Sequence, residues 1–167
     1  MGYTTDFKGQ FLLNVDLDDK TEEFLKKLAT TRRMMRDVSK LPKSGFEKYG
    51  FDSWGTDGEF YVDGAGYYGQ DQDKSILDYN FPPRTQPGLW CQWEYDQASI
   101  QWNGGEKFYH YIEWLEYIIE KVLEPRGYKL NGMVEWQGEE SDDFGQLKVE
   151  DNKIFSRLGK MGYGEWK

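Results

Sequence analysis

The chain has 167 residues, the size of one ordinary domain, long enough to bury a core without disulfides or a metal. Its formal net charge of −9 excludes the basic footprint that non-specific nucleic-acid binding needs. No apolar run reaches the roughly 20 residues of a membrane helix, and the opening Met-Gly-Tyr-Thr-Thr-Asp-Phe lacks the basic-then-apolar layout of a signal peptide.

Aromatic residues make up 17% of the chain, with seven Trp and twelve Tyr. Disordered tails lack such side chains, so a folded protein is expected. Gly2 and Thr5 resemble a myristoylation start only loosely, because the hydroxyl falls one residue early. Cys91, the single cysteine, can form neither an internal disulfide nor a zinc site by itself, and a cytoplasmic protein is the plain expectation. Residues 20–48 hold nine basic groups against four acidic ones, so the rest of the chain carries the acidity. An acidic body of this kind suits a basic partner.

Residues 7–17 alternate, with Phe7, Phe11, Leu13, Val15 and Leu17 on one side, and predict a half-buried strand. Asp19 with Glu22 suggests a helix N-terminus. Phe24, Leu28, Thr31, Met35 and Val38 then recur at helical spacing. Pro42, Ser44 and four glycines between Leu41 and Gly58 predict an irregular connection. Glu59–Val62 reads as a short strand, and residues 63–88 as a long loop. Leu89, Cys91, Trp93 and Tyr95 alternate and lead through a turn into Ser99–Asn103, a hairpin.

Gly104-Gly105 opens a long helix expected from Glu106 to about Glu124, stopped by Pro125 and Gly127. Strands follow at Tyr128–Gln137, at Phe144–Val149 and near Ile154, with an aperiodic tail over 159–167. The order predicts an α+β fold: a mainly antiparallel sheet with two helices packed on one face, a single domain over 1–158.

The stretch GAGYYG, residues 64–69, matches the G-x-G-x-x-G pattern of a dinucleotide-binding turn. Asp71 and Asp73 stand where the phosphate-binding helix should start, Pro82-Pro83 would end it early, and residues 80–88 offer no ribose-binding carboxylate. A loop is the better reading. Asp71, Asp73, Ser75 and Asp78 space oxygen ligands as calcium loops do, but Ile76 and Pro82 occupy the positions that need glycine and glutamate. A solvated acidic turn is expected there, with no metal and no cofactor.

His110 is the only histidine, which rules out multi-histidine zinc sites, and Cys91 on an apolar strand side is expected to be an inert thiol. Glu139, Glu140, Asp142 and Asp143 crowd one turn. Paired carboxylates can do acid–base work, but neighbours on an exposed turn more often stay in water. In the long helix, Phe108, Ile112, Leu115, Ile119 and Val122 form one apolar stripe. His110, Trp114, Tyr117 and Lys121 fall on the other side, with Glu113 beside them. A second aromatic row suggests an exposed binding patch centred on Trp114 and Tyr117.

The segments DYNFPPRTQPGLWCQW, WNGGEKFYHYIEWLEYIIE and LNGMVEWQGEESDDFGQLKVEDNKI, with GYTTDFKGQF, resemble a family of short uncharacterised proteins from bacteria and their phages. The resemblance spans most of residues 59–154. It implies a small cytosolic microbial protein of the kind mobile elements carry, and it supplies no catalytic residue.

Four functions compete. A non-enzymatic acidic binding protein would engage a basic protein partner as an inhibitor, immunity-type protein or defence antagonist. A binder of small planar, nucleotide-like ligands would use an aromatic pocket. A nucleic-acid mimic would need carboxylates in a regular row, which the clustered turns do not provide. Enzyme comes last, because no nucleophile has an evident base.

Overall fold

The computed structural model describes residues 2–63 and 73–167; GAGYYG and Asp71 lie outside the described residues. Among these, the elements are β1 (Asp6–Leu13), α1 (Asp19–Leu28), β2 (Met35–Arg36), β3 (Ile76–Asp78), β4 (Trp93–Asp96), β5 (Ser99–Trp102), α2 (Tyr111–Ile118), β6 (Leu130–Gln137), β7 (Phe144–Glu150) and β8 (Lys153–Leu158). Six strands form one sheet in the order β4-β5-β1-β6-β7-β8, and β2 with β3 makes a separate two-stranded ribbon. Every pairing is antiparallel. The fold is α+β, as the order of patterns predicts.

Alternation sets the sheet's two faces. Phe7, Phe11 and Leu13 of β1, Leu130, Val134 and Trp136 of β6, and Leu147 and Val149 of β7 are all buried on one face. Both helices press their apolar sides into that same core, α1 through Phe24, Leu25 and Leu28 and α2 through Leu115 and Ile118. Phe7 sits in an aromatic box, with ring centroids 5.3 Å from Trp93, 5.5 Å from Trp102 and 5.0 Å from Tyr111. The other face carries Lys8, Gln10, Glu135, Gln146 and Arg157 with a few exposed apolar side chains, among them Met133 and Phe155.

Two glycines let β1 and β6 approach. A Cβ on Gly9 would meet the Met133 carbonyl oxygen at 2.6 Å, and one on Gly132 would meet that of Gln10 at 2.7 Å. Both residues also have positive φ, so no other residue fits either place without strain.

Several boundaries differ from the sequence reading: β1 ends at Leu13 and leaves Val15 exposed instead of running to Leu17, and β4 begins at Trp93 instead of Leu89. The N-cap of α1 is Asp18, whose side chain accepts from the Thr21 backbone N–H, one residue before the predicted Asp19. The helix ends at Leu28 instead of continuing towards Val38. Beyond it the chain runs extended beside residues 75–89, with Arg33, Met35 and Asp37 N–H groups donating to the Leu89, Phe81 and Ser75 carbonyls. The predicted strand Glu59–Val62 is a folded turn, closed by Phe60 N–H to the Trp54 carbonyl and Tyr61 N–H to that of Gly58.

The long helix starts at Tyr111, not Glu106, because Lys107 and His110 both take left-handed backbone angles. It widens into a π turn over Ile119–Leu123 and a 3-10 turn over Glu124–Arg126, then stops at left-handed Gly127, where Pro125 and Gly127 predicted its end.

Candidate functional site

The aromatic row predicted to be exposed is part of the core. Trp114 is fully buried and Tyr117 is 5% exposed, while His110 and Lys121 lie at the surface. Counting faces at ideal helical spacing fails here because segments 58–61 and 83–90 cover a second side of α2. Tyr117 donates to the Glu59 carboxyl at 2.9 Å and accepts from Gln86 at 3.0 Å. Trp114 packs edge-on against Tyr117, 5.5 Å between centroids. The irregular tail takes no part in this cover, and Tyr163 and Trp166 within it are fully exposed.

Beneath the same segments lies Arg33, also buried. Its guanidinium donates to the Gln86 side chain at 3.0 Å and to the Tyr61 and Glu59 carbonyls at 3.1 and 2.9 Å. Burial lowers its pKa to about 10, still cationic at neutral pH. Burial likewise raises the Tyr117 phenol far above its ordinary value, and nearby Glu59 adds to it. Sequence reading missed this Arg33–Gln86–Tyr117–Glu59 network, since no local pattern links residues 26 to 58 positions apart. All four side chains are buried, and their bonds tie segments 58–61 and 86 to Arg33 and to α2.

Part of the basic segment 20–48 is ion-paired within the molecule. Arg36 is buried against Asp73 at 3.1 Å and Ser75 at 2.8 Å. Lys27 and Lys48 hold Asp63 at 2.9 and 3.0 Å, and Tyr49 donates to the same carboxylate. Asp73 also accepts from the Ser75 backbone N–H, the largest cause of its lowered pKa, and Asp78 accepts from that of Asn80. These two weaker loop candidates are therefore structural carboxylates. Among the described residues, no three His, Cys, Asp or Glu side chains converge on a metal position, and no helix is long and apolar enough to cross a membrane.

The acidic turn is a clasp. Glu139 accepts from the Thr4 backbone N–H at 2.6 Å, and Asp143 accepts from the Tyr3 hydroxyl at 2.6 Å and the Trp136 indole at 3.1 Å. Tyr3 N–H in turn donates to the Tyr109 hydroxyl at 3.2 Å, so the N-terminal segment ties the turn to the start of α2. Glu140 and Asp142 remain exposed. Burial raises the pKa of Tyr111, and the nearby Asp143 and Glu113 raise it further. The turn and the first turn of α2 thus form one acidic neighbourhood.

Exposure on α2 and on the π and 3-10 turns that continue it, which together make the α2 face, is narrow and charged. Glu113, Glu116, Glu120 and Glu124 are exposed at helical spacing, with Lys121 the cation among them, while Trp114, Leu115, Tyr117, Ile118, Ile119, Val122 and Leu123 are buried. Carboxylates three and four residues apart share a face and repel by a few tenths of a kcal/mol per pair, a cost with no structural return. Cys91 is buried, its thiol pushed up to about 12 by burial, and is an inert packing residue as its strand position predicts.

No family model matches the chain, and neither does any curated protein or solved structure.

Proposed function

We propose that the protein is a non-enzymatic binding protein that presents the acidic face of α2 to a basic protein partner. The observation that carries this reading is the row Glu113, Glu116, Glu120 and Glu124, exposed on a helix whose other sides are buried. A helix fixed so firmly presents its charges at set spacing, which gives recognition more specificity than a mobile acidic tail. The exposed Glu140 and Asp142 lie beside its N-terminal end and extend the negative surface. The net charge of −9 sets the sign of the outer field, and the exposed carboxylates of this row concentrate it along one face. Inhibition, immunity or defence antagonism are the roles such a surface serves in small microbial proteins.

The test is capture on immobilised protein from a bacterial lysate at low ionic strength, followed by a salt gradient. A discrete partner that elutes as exposed ion pairs are screened, at about 0.3–0.5 M salt, supports the reading. Protein that captures nothing at low salt, or holds its partner unchanged in high salt, contradicts it.

A further inference from the structure

The edge of the sheet at β8 is bare. At the opposite end of the sheet α1 packs against β4, whereas every residue from Lys153 to Lys167 except Ile154 and Gly159 is exposed. The ladder of β8 with β7 runs without a bulge from the Glu150–Lys153 pair to the Gly145–Leu158 pair, and the strand holds no proline. Native proteins normally cover or break such an edge, because its open N–H and C=O groups are a template for another strand.

Which groups are open follows from the turn. Asp151 and Asn152, with φ of 45° and 71°, close a two-residue hairpin between Glu150 and Lys153. Lys153, Phe155 and Arg157 therefore direct their backbone bonds to β7, and the Gly159 N–H continues that series to the Phe144 carbonyl at 2.7 Å. Ile154, Ser156 and Leu158 turn their N–H and C=O groups outward. Their side chains lie on the core face, Ile154 and Ser156 opposite the buried Val149 and Leu147, with Leu158 beyond them at 75% exposure. On the open face Arg157 donates to the Gln146 side chain at 2.7 Å, and Lys148 stands 5.2 Å from the ring of the half-exposed Phe155.

We propose that this edge pairs with the β8 edge of a second copy of the chain, antiparallel about a twofold axis at Ser156, so that the two sheets join into one. A twofold pair must set outward residues opposite outward residues, which leaves two registers that cover most of the strand. Centred on Phe155, the pair puts Lys153 opposite Arg157 of the second copy at both ends, and like charges directly opposite are destabilising. Centred on Ser156, it puts Ile154 opposite Leu158 on the core face and Phe155 opposite Arg157 on the open face. Apolar side chain then meets apolar side chain, and a guanidinium lies beside an aromatic ring. This register also makes about six inter-strand hydrogen bonds and uses every outward group of Ile154, Ser156 and Leu158. Such self-complementarity is what an isologous contact requires and an unrelated peptide does not. Beyond Gly159 the pairing sends the tail of each copy past the other's Asp151–Asn152 turn, where the exposed Met161, Tyr163 and Trp166 gain a surface to cover. The β8 edge and the acidic face of α2 are separate surfaces, and either can stand without the other.

Sedimentation of the whole protein over about 1–100 µM reads the association directly, and a monomer–dimer equilibrium is expected. Ser156→Pro removes an outward N–H that bonds nothing within one copy. It should raise the dissociation constant more than about tenfold while circular dichroism keeps the native spectrum. Leu158→Asp, at an exposed position, should do the same and serves where proline disturbs the strand. The register is read by oxidative cross-linking. On the axis, Ser156→Cys meets its own copy at a Cα separation of about 5.5 Å, within reach of a disulfide, while the buried Cys91 stays reduced. It should cross-link at least about tenfold faster than Lys153→Cys, which is also exposed but faces Gly159 of the second copy. A monomer at every concentration, or a dimer that both Ser156→Pro and Leu158→Asp leave intact, overturns the proposal. So does cross-linking of Ser156→Cys no faster than that of Lys153→Cys, or slower than that of Phe155→Cys.

Discussion

Replacing Tyr117 by phenylalanine removes one oxygen from the centre of the molecule. That oxygen donates to Glu59 and accepts from Gln86, and both partners are almost wholly buried. Gln86 keeps its bond to the Glu59 carbonyl at 2.8 Å, so its loss is small. The Glu59 carboxyl keeps only the Thr56 backbone N–H on its other oxygen, and the oxygen that faced Tyr117 is left without a donor. A buried hydrogen bond to an acidic group is worth about 1.5–3 kcal/mol, so the substitution should cost about 2–3 kcal/mol. At roughly 2–4 °C per kcal/mol for a chain of this size, the melting temperature should fall by about 5–10 °C. Urea unfolding should show a lower midpoint with an unchanged slope. A double-mutant cycle with Glu59→Gln should give a coupling of about 1 kcal/mol or more. A loss under about 0.5 kcal/mol for Tyr117→Phe would show that the network is not closed as described, because that is the range of an ordinary surface change.

Trp114→Ala should cost about 3–5 kcal/mol in urea unfolding, as for other core aromatic residues; a change below about 1 kcal/mol would return Trp114 to the surface. Gly9→Ala should destabilise by more than about 1 kcal/mol, since the new methyl meets the Met133 carbonyl and the backbone has positive φ; no change in the thermal midpoint would contradict the close approach of β1 and β6. Cys91 should react with a thiol reagent only as fast as the protein unfolds, and rapid labelling of the native protein would contradict its burial. Asp73 and Asp63 lie below the usual carboxylate value of 3.8: Asp73 through the Ser75 N–H and Arg36, Asp63 because Tyr49 and the two lysines outweigh a burial that by itself would raise it. Folded values below unfolded ones mean that their stabilisation is complete above about pH 4 and is lost as pH falls through the folded values. Melting temperatures should therefore hold from neutral pH to about pH 4 and then drop, with Asp73→Asn flattening part of the drop. A decline that begins near pH 6 would point to other groups.

The strands of the six-stranded sheet were legible because they carry a period of two and bury one face, as Phe7 to Leu13 and Leu130 to Trp136 do, whereas β2 and β3 are too short to show a period and fall where the pattern predicts helix and loop. The hairpin turns were legible in the same way. What the sequence hid was long-range cover. Nothing near Trp114 in the chain says that Glu59 and Gln86 will close over the adjacent Tyr117, so a row that a free helix would expose became core. The acidic turn faces solvent as its clustered charge suggested, with Glu139, Glu140 and Asp142 exposed; what the sequence hid is that Glu139 and Asp143 also hold the backbone of Thr4 and the hydroxyl of Tyr3. Glu113 was noted in the sequence only as a neighbour of the aromatic row. The rest of the carboxylate series emerged once the buried sides of α2 were known.

The acidic face of α2 is tested most directly by comparing two neutralised variants for capture of the salt-sensitive partner. One carries Glu113→Gln, Glu116→Gln and Glu120→Gln on the helix. The other carries Glu135→Gln and Glu150→Gln on the open face of the sheet, where both residues are exposed. The helix variant should melt at or slightly above the unmodified protein, since like charges on a surface repel, and the sheet variant should lose no more than about 1 kcal/mol, since it gives up only the exposed Lys148–Glu150 pair and the Glu135 neighbour of Lys8. The helix variant should lose the partner and the sheet variant should retain it. Loss from the sheet variant with retention by the helix variant, or equal retention by both, would contradict the assignment.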